Sequence, residues 1–297
     1  MKTKLKIILF AVVIMFLFTS QTFAMGAGQK HEEEIRIGAV LPLTGNLSYL
    51  GSEEKNTLML LEKNINEKNE IKLKIFFEDS KGTAKDGLTA FNKLKMEGIK
   101  YYITSLTIVS LAIAPLCNQN GFIQFALSVD PLIAGQNKNL ICLYYNLADE
   151  MKLISKLLAF KKAKDVASIY INTPEDETAI NKFFKSYLKD YNIKHLGNYT
   201  YGFADKSVKN QLLKLKALDP DYINTIDFGY MYPTILKEAQ VLGIREKIIG
   251  GLGMMTAPPM DTFLLSNIYF CASSFVIKPT EKYKIFAKKY EEKYGKS

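Results

Sequence analysis

Between residues 35 and 294 the chain alternates, without a break, between short apolar, β-branched runs and longer amphipathic stretches. Residues 35–41 run Ile-Arg-Ile-Gly-Ala-Val-Leu up to Pro42 and read as a strand. Over 53–66, Leu58, Leu61 and Ile65 recur every three or four residues, which is helical spacing. The same reasoning gives strands over 71–77, 101–103, 122–126, 140–145, 166–171, 195–200, 222–228, 247–249 and 268–273. It gives helices over 83–96, 109–117, 150–160, 175–190, 206–218, 233–242 and 280–294. Strands separated by helices of this length need crossovers, so the fold class is α/β with parallel sheets. Two runs, 35–135 and 146–270, fit two doubly wound lobes better than one very wide sheet.

Composition agrees with that division. The 297 residues are 48% hydrophobic and 23% charged, ordinary globular values with enough apolar material for two cores. The start of the chain is different. Lys2, Lys4 and Lys6 precede an apolar run over 7–18, and Thr19, Ser20 and Ala24 follow. That run is shorter than the ~20 apolar residues of a membrane span. It reads as a secretory signal peptide over 1–24, cut after Ala24 with Ala27 as the next choice, which predicts a periplasmic protein. No Cys stands near the cut to carry a lipid. Removing 1–24 takes three of the 39 Lys and Arg and none of the 30 acids, so the net charge of +9 falls to +6. The excess is spread over Lys-rich helices instead of forming a stripe, which excludes nucleic acid as a partner. Cys117, Cys142 and Cys271 sit in apolar runs and read as small buried hydrophobes, with one disulfide left open by export.

Catalytic constellations are missing from the sequence. His31 and His195 are far apart, and no metal or cofactor motif is present, so neither an enzyme nor a cofactor is expected. Asp79, Asp130 and Asp227 each follow a strand, where a carboxylate serves either as a base or, as expected here, as a helix or turn cap. A binding site is better supported. Ligands of open α/β sheets bind beyond the carboxyl ends of the strands, here 43–49, 104–107, 127–130, 172–173, 227–232 and 250–254. Tyr49, Tyr230 and Tyr232 offer apolar walls with a polar tip. Ser105 and Thr107 either cap the following helix or meet a small polar ligand.

The opening 35–45, with Tyr49-Leu50-Gly51 after it, resembles the type 1 periplasmic binding proteins and, more closely, their branched-chain amino-acid-binding family. Phe77-Glu78-Asp79-Ser80, Ala112-Ile113-Ala114-Pro115, Asp130-Pro131, Gly229-Tyr230-Met231-Tyr232-Pro233 and Ala239-Gln240-Val241-Leu242-Gly243-Ile244 follow in the family's order. The resemblance implies a flytrap with a first lobe over 35–145 and a second over 146–273. The chain would return to the first lobe over 274–297, incompletely compared with the family. It also implies a monomer that captures a small solute and hands it to the permease of an ABC importer. Two alternatives stay open: a sensory module that presents its ligand to a membrane receptor, and a shortened, non-binding member. Carried over residue by residue, Tyr49 is the aromatic wall, and Ser105 or Thr107 is the first-lobe hydroxyl for the ligand carboxylate. Ser128 and Val129 are the contacts of the next loop, and Tyr230 and Tyr232 match the second-lobe tyrosine. Leu252 stands where the family's amino-acid binders place an acid for the ligand ammonium. An unpaired buried ammonium is costly, so a neutral, aromatic or anionic solute is expected unless Asp130 or Asp227 compensates.

Overall fold

The computed structural model describes residues 34–68, 71–133, 135, 137–258, 260–266 and 268–295; the expected signal peptide lies outside them. Two parallel sheets of five strands each organise these residues. The first contains β1 (Glu34–Leu41), β2 (Lys72–Asp79), β3 (Tyr101–Ser105), β4 (Ile123–Leu127) and β5 (Leu140–Cys142), in the order β2-β1-β3-β4-β5. The second contains β6 (Asp165–Ile171), β7 (Lys194–Tyr201), β8 (Tyr222–Ile226), β9 (Ile248–Gly250) and β10 (Tyr269–Phe270), in the order β7-β6-β8-β9-β10. Both sheets follow the doubly wound 2-1-3-4-5 pattern. The strand order therefore reverses between β1 and β3 and again between β6 and β8, and ligands bind at such reversals.

The longer helices are α1 (Ser48–Asn66), α2 (Ala84–Met96), α3 (Thr107–Asn120), α4 (Leu147–Phe160), α5 (174–189, with a π-helical middle), α6 (Lys209–Leu218), α7 (Tyr232–Val241) and α8 (Glu281–Tyr294). Several starts are written in side chains. Thr83 accepts from the Asp86 amide at 3.0 Å, Asn146 from Asp149 at 2.9 Å, and Thr173 from Asp176 at 3.2 Å just before Pro174. Each cap satisfies an amide that the first helical turn leaves without a partner. Helices cover both faces of the sheets. Residues 166–171 of β6 are consequently buried throughout, as expected of a central parallel strand. Phe91, Tyr102 and Phe122 pack together under the first sheet. Under the second, Tyr170 and Phe184 belong to one core cluster. The final helix α8 reaches α1, where Lys289 Nζ donates to Asn64 Oδ1 at 2.8 Å. No helix among the described residues is long and apolar enough to cross a membrane.

The main departures from the sequence reading lie at element ends. The first helix begins at Ser48 and not at residue 53, and Gly51 sits inside it. A Cβ on Gly51 would come within 2.2 Å of the Pro42 carbonyl oxygen, so this glycine marks close packing of α1 on the β1 loop, not a helix stop. The strand expected over 222–228 stops at Ile226, because Asp227 and Phe228 leave the sheet for a turn. The strand expected over 268–273 shrinks to Tyr269–Phe270.

Candidate functional site

A cavity of about 60 Å³ lies at the carboxyl ends of both sheets. From the first sheet's side it is lined by Leu50 and Glu54 of α1, by Ser105, Leu106 and Thr107 after β3, and by Leu127, Ser128 and Val129 after β4. From the second it is lined by Phe228 after β8 and by Gly253 and Thr256 after β9. Tyr144 and Tyr145, on the stretch between β5 and α4, complete the lining. Leu50 and Glu54 share a face because they are four residues apart on a helix.

Local geometry explains the first-lobe wall. Leu106 takes φ +71°, a conformation that costs a non-glycine residue about 1–3 kcal/mol and that clusters at functional sites. It turns the chain from β3 into α3, which starts with no side-chain cap. Ser105 and Thr107 therefore do not cap α3. Ser105 Oγ donates to Glu54 Oε1 at 2.8 Å, and the Thr107 and Ser128 hydroxyls pair at 2.8 Å. The cavity is thus mainly apolar, with a polar corner at an uncapped helix start, where amides suit a carboxylate or another small acceptor.

Ser105, Thr107, Ser128 and Val129 line the cavity together, while Tyr49, Tyr230, Tyr232 and Leu252 are not among its lining residues. Tyr49 spans the cleft, its hydroxyl donating to the Phe228 carbonyl at 3.0 Å. Tyr230 stacks on Phe203 with ring centroids 6.5 Å apart. Tyr232 is fully buried in the second-lobe core, donating to Thr225 O at 3.2 Å and accepting from the Gly251 amide at 2.9 Å. Leu252 packs against the second-lobe core. Leu50, Glu54, Tyr144, Tyr145 and Thr256 were not anticipated; a Glu within an amphipathic helix reads as solvated, and the two tyrosines read as the end of a strand.

The ionisable groups around the cleft include several carboxyl groups. Among the described residues lining the cavity, Glu54 is the one acid or base, and burial pushes its pKa up to about 7. Its Oε2 has no hydrogen-bond partner. Glu175 stands close to Thr107 and Asp130, and burial raises its pKa too, with Asp130 adding to the effect. Asp130 and Asp227 are occupied by turns: Asp130 accepts from the Leu132 amide at 2.7 Å, and Asp227 from Gly229 at 2.7 Å and Met231 at 3.0 Å. Asp79 likewise accepts from the Leu43 amide at 2.9 Å and the Lys81 amide at 2.7 Å. Among the described residues no three His, Cys, Asp or Glu side chains are grouped to hold a metal. His195 hydrogen-bonds Ser168 at 3.0 Å, and burial lowers its pKa to about 4. The three cysteines are free thiols.

These residues fall within a longer match. Residues 34–297 match the periplasmic binding protein family. The chain belongs to that family. Among curated relatives, this periplasmic binding protein is 23% identical over 233 residues to the Leu/Ile/Val-binding protein BraC3 of Rhizobium johnstonii, covering 74% of this chain and 62% of that one. It thus spans about three-fifths of that relative's length. Among solved structures it superposes with TM-score 0.74 and 20% identity on the branched-chain amino acid transporter substrate binding protein LivJ of Streptococcus pneumoniae, bound to isoleucine. That match covers 89% of this chain and 78% of the other. An ABC-transporter solute binding protein of Rhodopseudomonas palustris, bound to 3,4-dihydroxybenzoic acid, superposes with TM-score 0.75 and 18% identity, covering 88% and 74%. The fold of this binding protein is accordingly the type 1 periplasmic one, with its two five-stranded lobes.

Within this binding protein Glu150, in the first turns of α4, is buried with both carboxyl oxygens unpartnered. Its Oε1 would lie 2.2 Å from a Cβ on Gly251. Burial raises its pKa from 4.5 to about 7, outweighing the nearby Leu252 amide, which pulls the other way without making a full hydrogen bond. A raised folded-state pKa means that the fold resists ionisation. The resulting penalty is absent below pH 4.5, grows as pH rises and is complete above pH 7. Between pH 5 and pH 8 it amounts to roughly 2 kcal/mol. We expect Glu150→Gln to gain about that much on wild type over the same interval, measured as unfolding free energy in urea at the two pH values. Parallel pH dependences for the two proteins would show that Glu150 ionises freely in the fold.

Proposed function

We propose that this chain is an exported, non-enzymatic solute-binding protein that captures a small solute between its lobes for an ABC-importer permease. The observation that carries this reading is the cavity walled by strand ends of both sheets and spanned by the Tyr49–Phe228 hydrogen bond. A ligand held by both walls binds the closed arrangement better than an open one, and that difference shifts the population. No bond needs to be made or broken. The uncapped start of α3 and the backbone at Val129, with the one proton that the Thr107–Ser128 pair leaves free, would hold the ligand's acceptor end, Ser105 would orient Glu54, and Leu50, Tyr144, Tyr145 and Phe228 would pack the ligand's body. Tyr230, Tyr232 and Leu252 would support the second wall from behind. The relatives named above give the first solutes to try: leucine, isoleucine, valine and hydroxylated benzoates.

Thermal unfolding with such a panel tests the reading. A compound at 100 times its dissociation constant adds about 2.7 kcal/mol of stability. For a chain of this size that raises the midpoint by roughly 5–10 °C. A shift confined to one chemical class supports solute binding and names the class. A panel of amino acids, amines, amides and carboxylates that leaves the midpoint unmoved would overturn it.

A further inference from the structure

We propose that Glu54 binds a cationic nitrogen of the ligand, so that the cleft selects a primary amine or amino acid over a nitrogen-free carboxylate of the same shape. The inference rests on the solute-binding reading and names its ligand class. Among the described residues, Glu54 is the only one with an ionisable carboxyl or basic side chain lining the cavity. Its carboxyl group is fixed by Ser105 Oγ on Oε1 at 2.8 Å, while Oε2 is shielded from solvent without a partner. A buried acceptor left unsatisfied costs free energy that an incoming N–H donor recovers, and the gain is larger when the donor is charged.

The surroundings favour a cation as well. Tyr144, Tyr145 and Phe228 line the same cavity, and aromatic faces attract ammonium groups. The neighbouring hydroxyls of Thr107 and Ser128 are engaged with each other, and the nearby carboxyls of Glu175 and Asp130 carry no positive charge that could neutralise Glu54. An acid on α1 of the first lobe thus provides the counter-charge that Leu252 cannot. On this proposal Glu54 takes the compensating role that the sequence leaves to Asp130 or Asp227, and an ammonium-bearing solute is accommodated despite Leu252.

The test is isothermal titration of the full chain with matched pairs that differ only in the nitrogen. These are L-alanine against propanoate, L-leucine against 4-methylpentanoate, and L-phenylalanine against 3-phenylpropanoate. In wild type at least one amino acid is expected to bind about tenfold or more tightly than its nitrogen-free partner. Glu54→Gln keeps the side chain's shape and should abolish that preference, weakening the amino acid by about tenfold and leaving the carboxylate unchanged. Ser105→Ala, which frees Oε1 but leaves the charge, should retain it. Both variants are first checked for a cooperative melt. Equal weakening of both members of a pair by Glu54→Gln would make Glu54 structural and overturn the inference. Tighter binding of the carboxylates in wild type would also overturn it, while leaving solute binding intact. If neither these pairs nor the wider thermal panel bind, both readings fall together.

Discussion

Replacing Asp227 with alanine is expected to cost roughly 3–5 kcal/mol of unfolding free energy, enough to leave a large fraction of the chain unfolded at 37 °C. The carboxyl group is 4% exposed and accepts three hydrogen bonds, from the Gly229 and Met231 amides and, at 2.8 Å, from the Tyr201 hydroxyl. Alanine leaves all three donors buried, and each such loss costs about 1–3 kcal/mol. The turn also holds Gly229 at φ +108° and presents the Phe228 carbonyl that receives both Tyr49 and Thr256. Solute binding should therefore fall along with stability. Asn keeps an acceptor for the two amides, and the Tyr201 hydroxyl can rotate to accept from its NH2, so Asp227→Asn should cost only about 1 kcal/mol. Equilibrium denaturation of both variants decides. An alanine variant within 1 kcal/mol of wild type would mean that the β8–α7 turn holds without its carboxylate. The same geometry gives Asp227 a structural role, with three acceptor positions of its carboxyl group engaged by Gly229, Met231 and Tyr201.

Such hydrogen-bonded turns separate what could be read from the sequence from what could not. Alternating strand and helix periods imply parallel strands joined by crossovers, and crossover handedness leaves few topologies. The two sheets, and the loops at their carboxyl ends, followed from pattern alone. Side-chain direction at element ends did not. Tyr232 looks like a loop tyrosine, but it is the first residue of α7, before Pro233, and turns inward to the Thr225 carbonyl and the Gly251 amide. Gly51 looks like a boundary, yet it lies within α1 because the Pro42 carbonyl is too close for a side chain. The helix starts at Ser48, and its first turns place Leu50 and Glu54 on one face in the cavity wall. Nothing in the periodicity of 53–66 marks Glu54 apart from Glu53 beside it. The distinguishing signal is a three-dimensional one, an acceptor without a donor.

Gly253→Ala is expected to be the most damaging single methyl addition at the cleft. Gly253 belongs to the short 3-10 turn Leu252–Thr256 after β9 and lines the cavity. A Cβ there would lie 1.8 Å from the Asp227 carbonyl oxygen and 2.9 Å from its carbon. Both obstacles are backbone, so no rotamer change relieves the overlap. The β9 turn must move away from the β8 turn, taking Thr256 and its hydrogen bond to Phe228 with it. Overpacking that the surroundings cannot absorb costs about 3 kcal/mol or more. Binding should be lost beyond what stability alone explains, because the second wall of the cavity is made of these two turns. Gly197→Ala is the control: its Cβ would meet the Tyr199 ring no closer than 3.5 Å, an ordinary contact in strand β7. That change should be neutral, or stabilising by less than about 1 kcal/mol through a stiffer unfolded chain. Denaturation midpoints of the two variants, with solute titrations on whatever remains folded, give the comparison. If Gly253→Ala matched Gly197→Ala in stability, the two turns would be free to separate, and the close approach of β8 and β9 could not be what shapes the cleft.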